Sequence, residues 1–186
     1  MIPDRPPAAP NVMAFEWRTL PDQRIDDMAS VRGGELVLRG TGVGSVAGHA
    51  LPTAPLRDAV IDCVVRPVGL ADDEGFGVFV RQQRPDRYVG IRVTPGRIVA
   101  ISGFDGDEQP IAVGPLAEAM VLHADRNRLQ VAAVGPSITF SLNGLVVTSV
   151  LVDPRFIDGH VGVLLEQRAD TAPELIVEWA QLRDVW

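Results

Sequence analysis

Apolar and polar residues alternate with a period of two along most of this chain. Leu36 and Leu38 share one side of Glu35–Arg39, and Ala59, Ile61, Cys63 and Val65 share one side of 57–66, with Asp58, Asp62 and Arg66 opposite. Val89, Ile91 and Val93 oppose Tyr88, Arg92 and Thr94 in the same way. Leu129, Val131 and Ala133 alternate, Gly135-Pro136 turns, and Ile138, Phe140 and Leu142 alternate again. Side chains two apart project to one face of a strand, so each run predicts a strand half-buried against a core. Runs at 15–20, 76–82, 97–101, 145–147, 161–167 and 175–181 complete about a dozen short strands. One stretch, 115–122, reads as helical, over about a single turn.

The punctuation agrees. Glycine and proline supply 18 and 15 residues, falling between apolar runs at short intervals. Asn143-Gly144 joins two alternating runs directly, the strongest short-range hairpin signal, because a type I′ turn needs positive φ at both central positions. Many strands and no substantial helix mean two antiparallel sheets packed face to face, or a closed barrel. No motif recurs at a fixed spacing, which disfavours a propeller or solenoid.

Composition narrows the function classes. At 186 residues the chain is one domain, read as a Pro-rich tail or linker over 1–12 and a single sandwich over 13–186. Its net charge of −7 offers no basic field for a phosphate backbone, so nucleic acid is not an expected partner. All 17 basic residues are Arg, which reads as the codon bias of a GC-rich genome and removes lysine chemistry. The single cysteine, Cys63, excludes an intrachain disulfide and sits on an apolar face as an inert core thiol. No apolar stretch has the roughly 20 residues of a membrane-spanning helix, so membrane insertion is not expected.

With the strands placed, a resemblance emerges. GFGVFVRQQRPDRYVGIRV (75–93), NRLQVAAVGPSITFSLNG (127–144) and DGHVGVLLEQ (158–167) resemble concanavalin A-like, laminin G-like jelly-roll domains. WRTL at 17–20 and GELVLRG at 34–40 are similar to the accessory sandwich at the C-terminus of β-xylosidases. A further relative by pattern is the 3-keto-disaccharide hydrolase-like family. The resemblance implies an all-β, two-sheet antiparallel jelly roll. It specifies a sandwich well and a ligand poorly, since the superfamily holds lectins, glycan-binding modules, glycosidases and protein-interaction domains.

Catalytic motifs are missing from the sequence. Glycosidases on this fold carry E-x-D-x-x-E on one strand, so that carboxylates flank one glycosidic bond, and this chain has no such run. Asp26-Asp27 and Asp72-Asp73-Glu74 read as solvated turns. His49, His123 and His160 stand in no metal-binding or triad context, and His160 reads as a surface or edge residue. Phe104-Asp105-Gly106-Asp107-Glu108 sets Asp105, Asp107 and Glu108 around Gly106 in an oxygen-rich run of the kind calcium uses, although a hairpin tip with solvated charges is the favoured reading. No other cofactor is expected.

Sugar binding combines an aromatic ring with a few placed polar groups. Trp17 and Trp179 read as core candidates, and Trp186 ends the chain. Tyr88 lies opposite the apolar face of its strand beside Arg92. Arg81, Gln82 and Gln83 come near it if the two strands pair, and Glu166 and Arg168 join if the 161–167 strand shares that sheet. The competing reading is a polar outer face with cross-strand Arg–carboxylate pairs. The expectation is therefore a noncatalytic binding module recognising a glycan, or else a protein, through a concave sheet face or loops. The alternatives are a glycoside or modified-disaccharide hydrolase, and a structural sandwich without a small ligand. An extracellular or cell-surface bacterial setting is slightly favoured; oligomeric state is left open.

Overall fold

Period-two alternation builds what it predicts. The computed structural model describes residues 12–15, 17 and 23–185 and contains fifteen strands, with no α-helix among these residues. In chain order they are β1 (Val12–Phe15), β2 (Gln23–Arg24), β3 (Ala29–Arg32), β4 (Glu35–Arg39), β5 (Val46–Ala50), β6 (Ala59–Val68), β7 (Gly75–Arg84) and β8 (Arg87–Val93). There follow β9 (Ile98–Asp105), β10 (Asp107–Pro115), β11 (Asn127–Val134), β12 (Ser137–Leu142), β13 (Leu145–Leu151), β14 (His160–Glu166) and β15 (Glu174–Asp184). The Pro-rich opening as far as residue 11, residues 16 and 18–22 with most of the expected 15–20 strand, and Trp186 lie outside the described residues.

The strands form two antiparallel sheets. The nine-stranded sheet runs β13-β12-β11-β6-β15-β4-β3-β2, and β1 pairs with the far half of β15. The six-stranded sheet runs β10-β9-β8-β7-β14-β5. One apolar core lies between them. Ile61, Cys63 and Val65 of β6 and Leu129, Val131 and Ala133 of β11 enter it from one sheet. Phe76, Val78 and Val80 of β7 and Val89, Ile91 and Val93 of β8 enter from the other. Each fully buried Leu, Ile, Val or Phe contributes about 1.5–3 kcal/mol, so this layer is the main source of stability. Burial pushes the Cys63 thiol far up, consistent with an inert core group. Trp17 is also in the core, whereas Trp179 is buried under the Arg128 guanidinium, 5.9 Å from its ring centroid.

Two irregularities reset the alternation. Val177 and Ala180 both face the core because β15 shifts register between Val177 and Trp179. In β7 the register against β8 breaks after Val80, and Arg81 takes a φ of +57°. The hairpin between β12 and β13 forms as expected, with Asn143 at φ +51° and Gly144 at +86°. The Asn143 side chain also accepts the Arg128 N–H at 2.7 Å. The 115–122 stretch is no helix; a lone turn, closed by the Met120 N–H on the Ala117 carbonyl at 2.9 Å, is all that forms.

Candidate functional site

Alternation that sends Val78, Val80, Val89 and Ile91 inward sends their neighbours to the outer face of the six-stranded sheet. One cross-strand row reads Ala50, Gly162, Phe79, Gly90, Ser102, and the next reads Gly48, Leu164, Gly77, Arg92, Ala100. Glycines thus alternate with large side chains, and the rings lie over the glycines. A Cβ on Gly90 would stand 3.1 Å from Phe104 and 3.3 Å from Tyr88, and one on Gly162 would stand 2.4 Å from Phe79. Tyr88 stacks on Phe104 with centroids 4.5 Å apart, and Phe79 meets it edge-on at 5.9 Å. The result is a cleft of about 220 Å³ whose lining includes Met28, Val46, Gly48, Phe79, Gln82, Pro85, Tyr88 and Leu164.

Tyr88 is therefore not a bare platform. It is 9% exposed and presents little more than part of its ring. Burial pushes its phenol up, Arg92 pulls it down, and Glu166 and Glu108 reinforce the rise.

A charge cluster adjoins the rings. Arg92 Nε and Nη1 reach Glu166 at 3.2 and 3.3 Å, and Nη2 pairs with Glu108. Ser102 donates to Glu108 at 2.7 Å, and Arg168 pairs with Glu166 at 2.9 Å. Two guanidinium groups and two carboxylates make the cluster neutral. Burial pushes the Glu108 carboxyl up, but Ser102 and Arg92 outweigh it and hold it below the ordinary range. Glu108 is thus an ionised acceptor, ill suited to donating a proton.

Of the expected residues, Tyr88, Arg92, Glu166 and Arg168 come together, because β14 does share a sheet with β8. Gln82 lines the cleft. Gln83 does not: it donates to the Arg155 carbonyl at 3.1 Å, beyond the hairpin end. Arg81 also stands apart, because its left-handed backbone at the bulge turns the side chain inward, where it is 2% exposed.

Asp105 sits among Arg84 at 3.3 Å, Arg155 at 3.4 Å and Arg87 at 3.7 Å, while Asp107 is exposed across the turn. Three guanidinium groups around one carboxylate fit a calcium ion poorly, and no group of three or more metal-binding side chains assembles among the described residues. Glu74 corrects the reading of 72–74 as a solvated turn. It has no exposed surface, and it accepts the Ala71 N–H at 2.7 Å, the Ala169 N–H at 3.2 Å and the Thr171 hydroxyl at 2.5 Å.

Phe79, Leu164, Ser102 and Gly48 were not singled out by sequence, and Phe104 and Glu108 were read only as part of the run around Gly106. Phe79 and Leu164 could have been found from alternation alone. Glu108 could not, since its place depends on the register of β10 against β9, set by the tight Asp105-Gly106-Asp107 turn.

No family model matches the chain, and no curated protein matches it. Solved structures do resemble it. The carbohydrate-binding module CBM66 from Bacillus subtilis has a TM-score of 0.60 at 15% identity, covering 74% of this chain and 81% of that one. The xylan β-1,4-xylosidase from Bacillus halodurans C-125 has a TM-score of 0.63 at 14% identity, over 98% of this chain. The chain spans 41% of that enzyme's length. A Bacillus subtilis protein of unknown function with a galectin-like fold has a TM-score of 0.62 at 11% identity, covering 94% of this chain and 89% of that one. At these identities the likeness is one of fold: a two-sheet antiparallel β-sandwich.

Proposed function

We propose that the chain is a noncatalytic module that binds carbohydrate on the outer face of its six-stranded sheet. The observation that carries this reading is the cleft over Phe79, Tyr88 and Leu164, with Gly48 and Gln82 in its lining and the Arg92 cluster alongside. Pyranose and furanose rings present apolar C–H faces that pack on aromatic surface, while fixed polar groups meet their hydroxyls. A neutral set of ionised donors and acceptors suits an uncharged polyol, and its ready-made pairing lowers the cost of ordering it. Solved neighbours that include a carbohydrate-binding module support the reading by analogy of fold. Calcium plays no part in it, and the setting is extracellular or cell-surface, where polymeric glycans are met.

Affinity electrophoresis through a panel of polysaccharide gels tests it. The wild type should be retarded by at least one polymer, equally with and without EDTA. Gly48→Ala should weaken that retardation without lowering the melting temperature, since a Cβ there meets nothing nearer than 3.5 Å. Unchanged mobility of the wild type in every gel would overturn the proposal.

Glu108 and Glu166 converging on one guanidinium also give the hydrolase reading something to stand on. A glycosidase needs one carboxyl raised to act as acid, and Glu108 is shifted the opposite way. Release of reducing sugar, lost in Glu108→Gln and Glu166→Gln, would favour the enzyme instead.

A further inference from the structure

Arg81 poses a problem that the outer-face cleft does not solve. It lines a separate cavity of about 180 Å³, together with Arg57, Gly135, Asp153 and Phe156, and none of these residues lines the cleft. The side chain is 2% exposed, and a positive φ is an uncommon conformation for a residue with a side chain. Its Nη1 donates to the Phe156 carbonyl at 2.9 Å and its Nη2 to the Gly135 carbonyl. Those two acceptors carry no formal charge, and the Nε–H is buried with no acceptor at all.

The nearby carboxylates are engaged elsewhere. Asp58 accepts the Gly135 N–H at 2.7 Å, and Asp153 is held by the Arg155 N–H at 2.9 Å and its guanidinium at 3.2 Å. Asp58 and Asp158 act on Arg81 through space, but among the described residues no carboxylate reaches ion-pair distance of it. Arg57, exposed at the rim, brings a second positive charge and is likewise without an ion-pair partner among those residues. A guanidinium withdrawn from water and lacking a counterion is costly, and a second cation beside it adds to the cost.

We infer that this cavity is an oxyanion site, in which Arg81 and Arg57 take the carboxylate or phosphoryl group of a small ligand. An oxyanion entering here supplies the missing counterion and meets guanidinium donors that match its geometry.

Amide NMR of the full chain tests it, with sodium acetate and inorganic phosphate titrated separately against sodium chloride at constant ionic strength. One anion should give saturable shifts at Arg81, Gly135 and Phe156. Acetate alone would assign the site to carboxylates, and phosphate alone to phosphoryl groups. Arg57→Gln should weaken that binding by about tenfold with an unchanged melting temperature, the loss of one charge-assisted contact. Arg81→Lys, which keeps the charge but loses the fork, should weaken it as well. Absence of saturation with both anions, or an undiminished response in Arg57→Gln, would overturn the assignment.

Discussion

Glu74 and Arg92 show how much of this molecule rests on charges taken out of water. Burial pushes the Glu74 carboxyl up, but the Thr171 hydroxyl and the N–H groups of Ala71, Ala169 and Arg168 together hold it below its ordinary value. A carboxyl depressed in the folded state lends stability above the unfolded value and loses it as pH falls through the folded one. The window therefore lies below about pH 4.3. Glu74→Gln replaces an acceptor with an amide that faces N–H donors, so urea unfolding at pH 7 should lose about 1–3 kcal/mol. Its acid-side decline should also be shallower than that of the wild type. Equal stability at pH 7 would mean that the clamp between 71–74 and 169–171 holds nothing. Arg92→Gln leaves Glu108 and Glu166 facing each other without their shared cation. It should cost about 2–4 kcal/mol at pH 7, with the deficit shrinking on acidification as the Glu108 carboxylate, held low against its burial by Ser102 and Arg92 in the wild type, takes up its proton. A pH-independent deficit would contradict this. At this scale the sequence was legible where alternation alone decides, as for Tyr88 and Arg92. It misled at Arg81, because a left-handed residue at a bulge reverses the face a side chain takes, and nothing in RQQR announces it.

Strands reveal themselves in proportion to how one-sidedly they are buried. β11 and β12 each set a buried apolar face against a half-exposed one, so their alternation reads directly. β10 is an exposed edge strand with Pro110 inside it, and β5 is the short run VAGHA, so neither carries a strong pattern. Both are needed to place the site, β10 for Glu108 and β5 for Gly48. The glycines were legible as turns but not as points of close strand approach. Gly77 lies in mid-strand, where a Cβ would fall 1.9 Å from the Ile91 carbonyl oxygen. Gly77→Ala must therefore part β7 from β8 and should destabilise by at least about 3 kcal/mol in urea unfolding. Gly114→Ala, on β10 with open space around its Cβ, should be nearly neutral. Similar losses at the two positions would show that close strand approach is not what selects glycine at 77.

Across the whole molecule, the two sheet faces divide the labour. Inward faces supply the stability, which leaves the outer face of the six-stranded sheet able to carry a cleft beside a neutral charge cluster that a core would not tolerate. Fold was largely legible because it depends on period-two burial. The cleft was not, because it depends on which strands become neighbours: Leu164, Phe79 and Tyr88 are 85 residues apart at the extremes before β14, β7 and β8 align them. The most direct test of that claim is amide NMR mapping with the polysaccharide fragment that best retards the chain. The account predicts shifts concentrated at Gly48, Phe79, Tyr88, Gly90 and Leu164, with Val64 and Trp179 on the nine-stranded sheet unmoved. Shifts centred on Val64 and Trp179 instead, with the cleft over Phe79, Tyr88 and Leu164 silent, would contradict it.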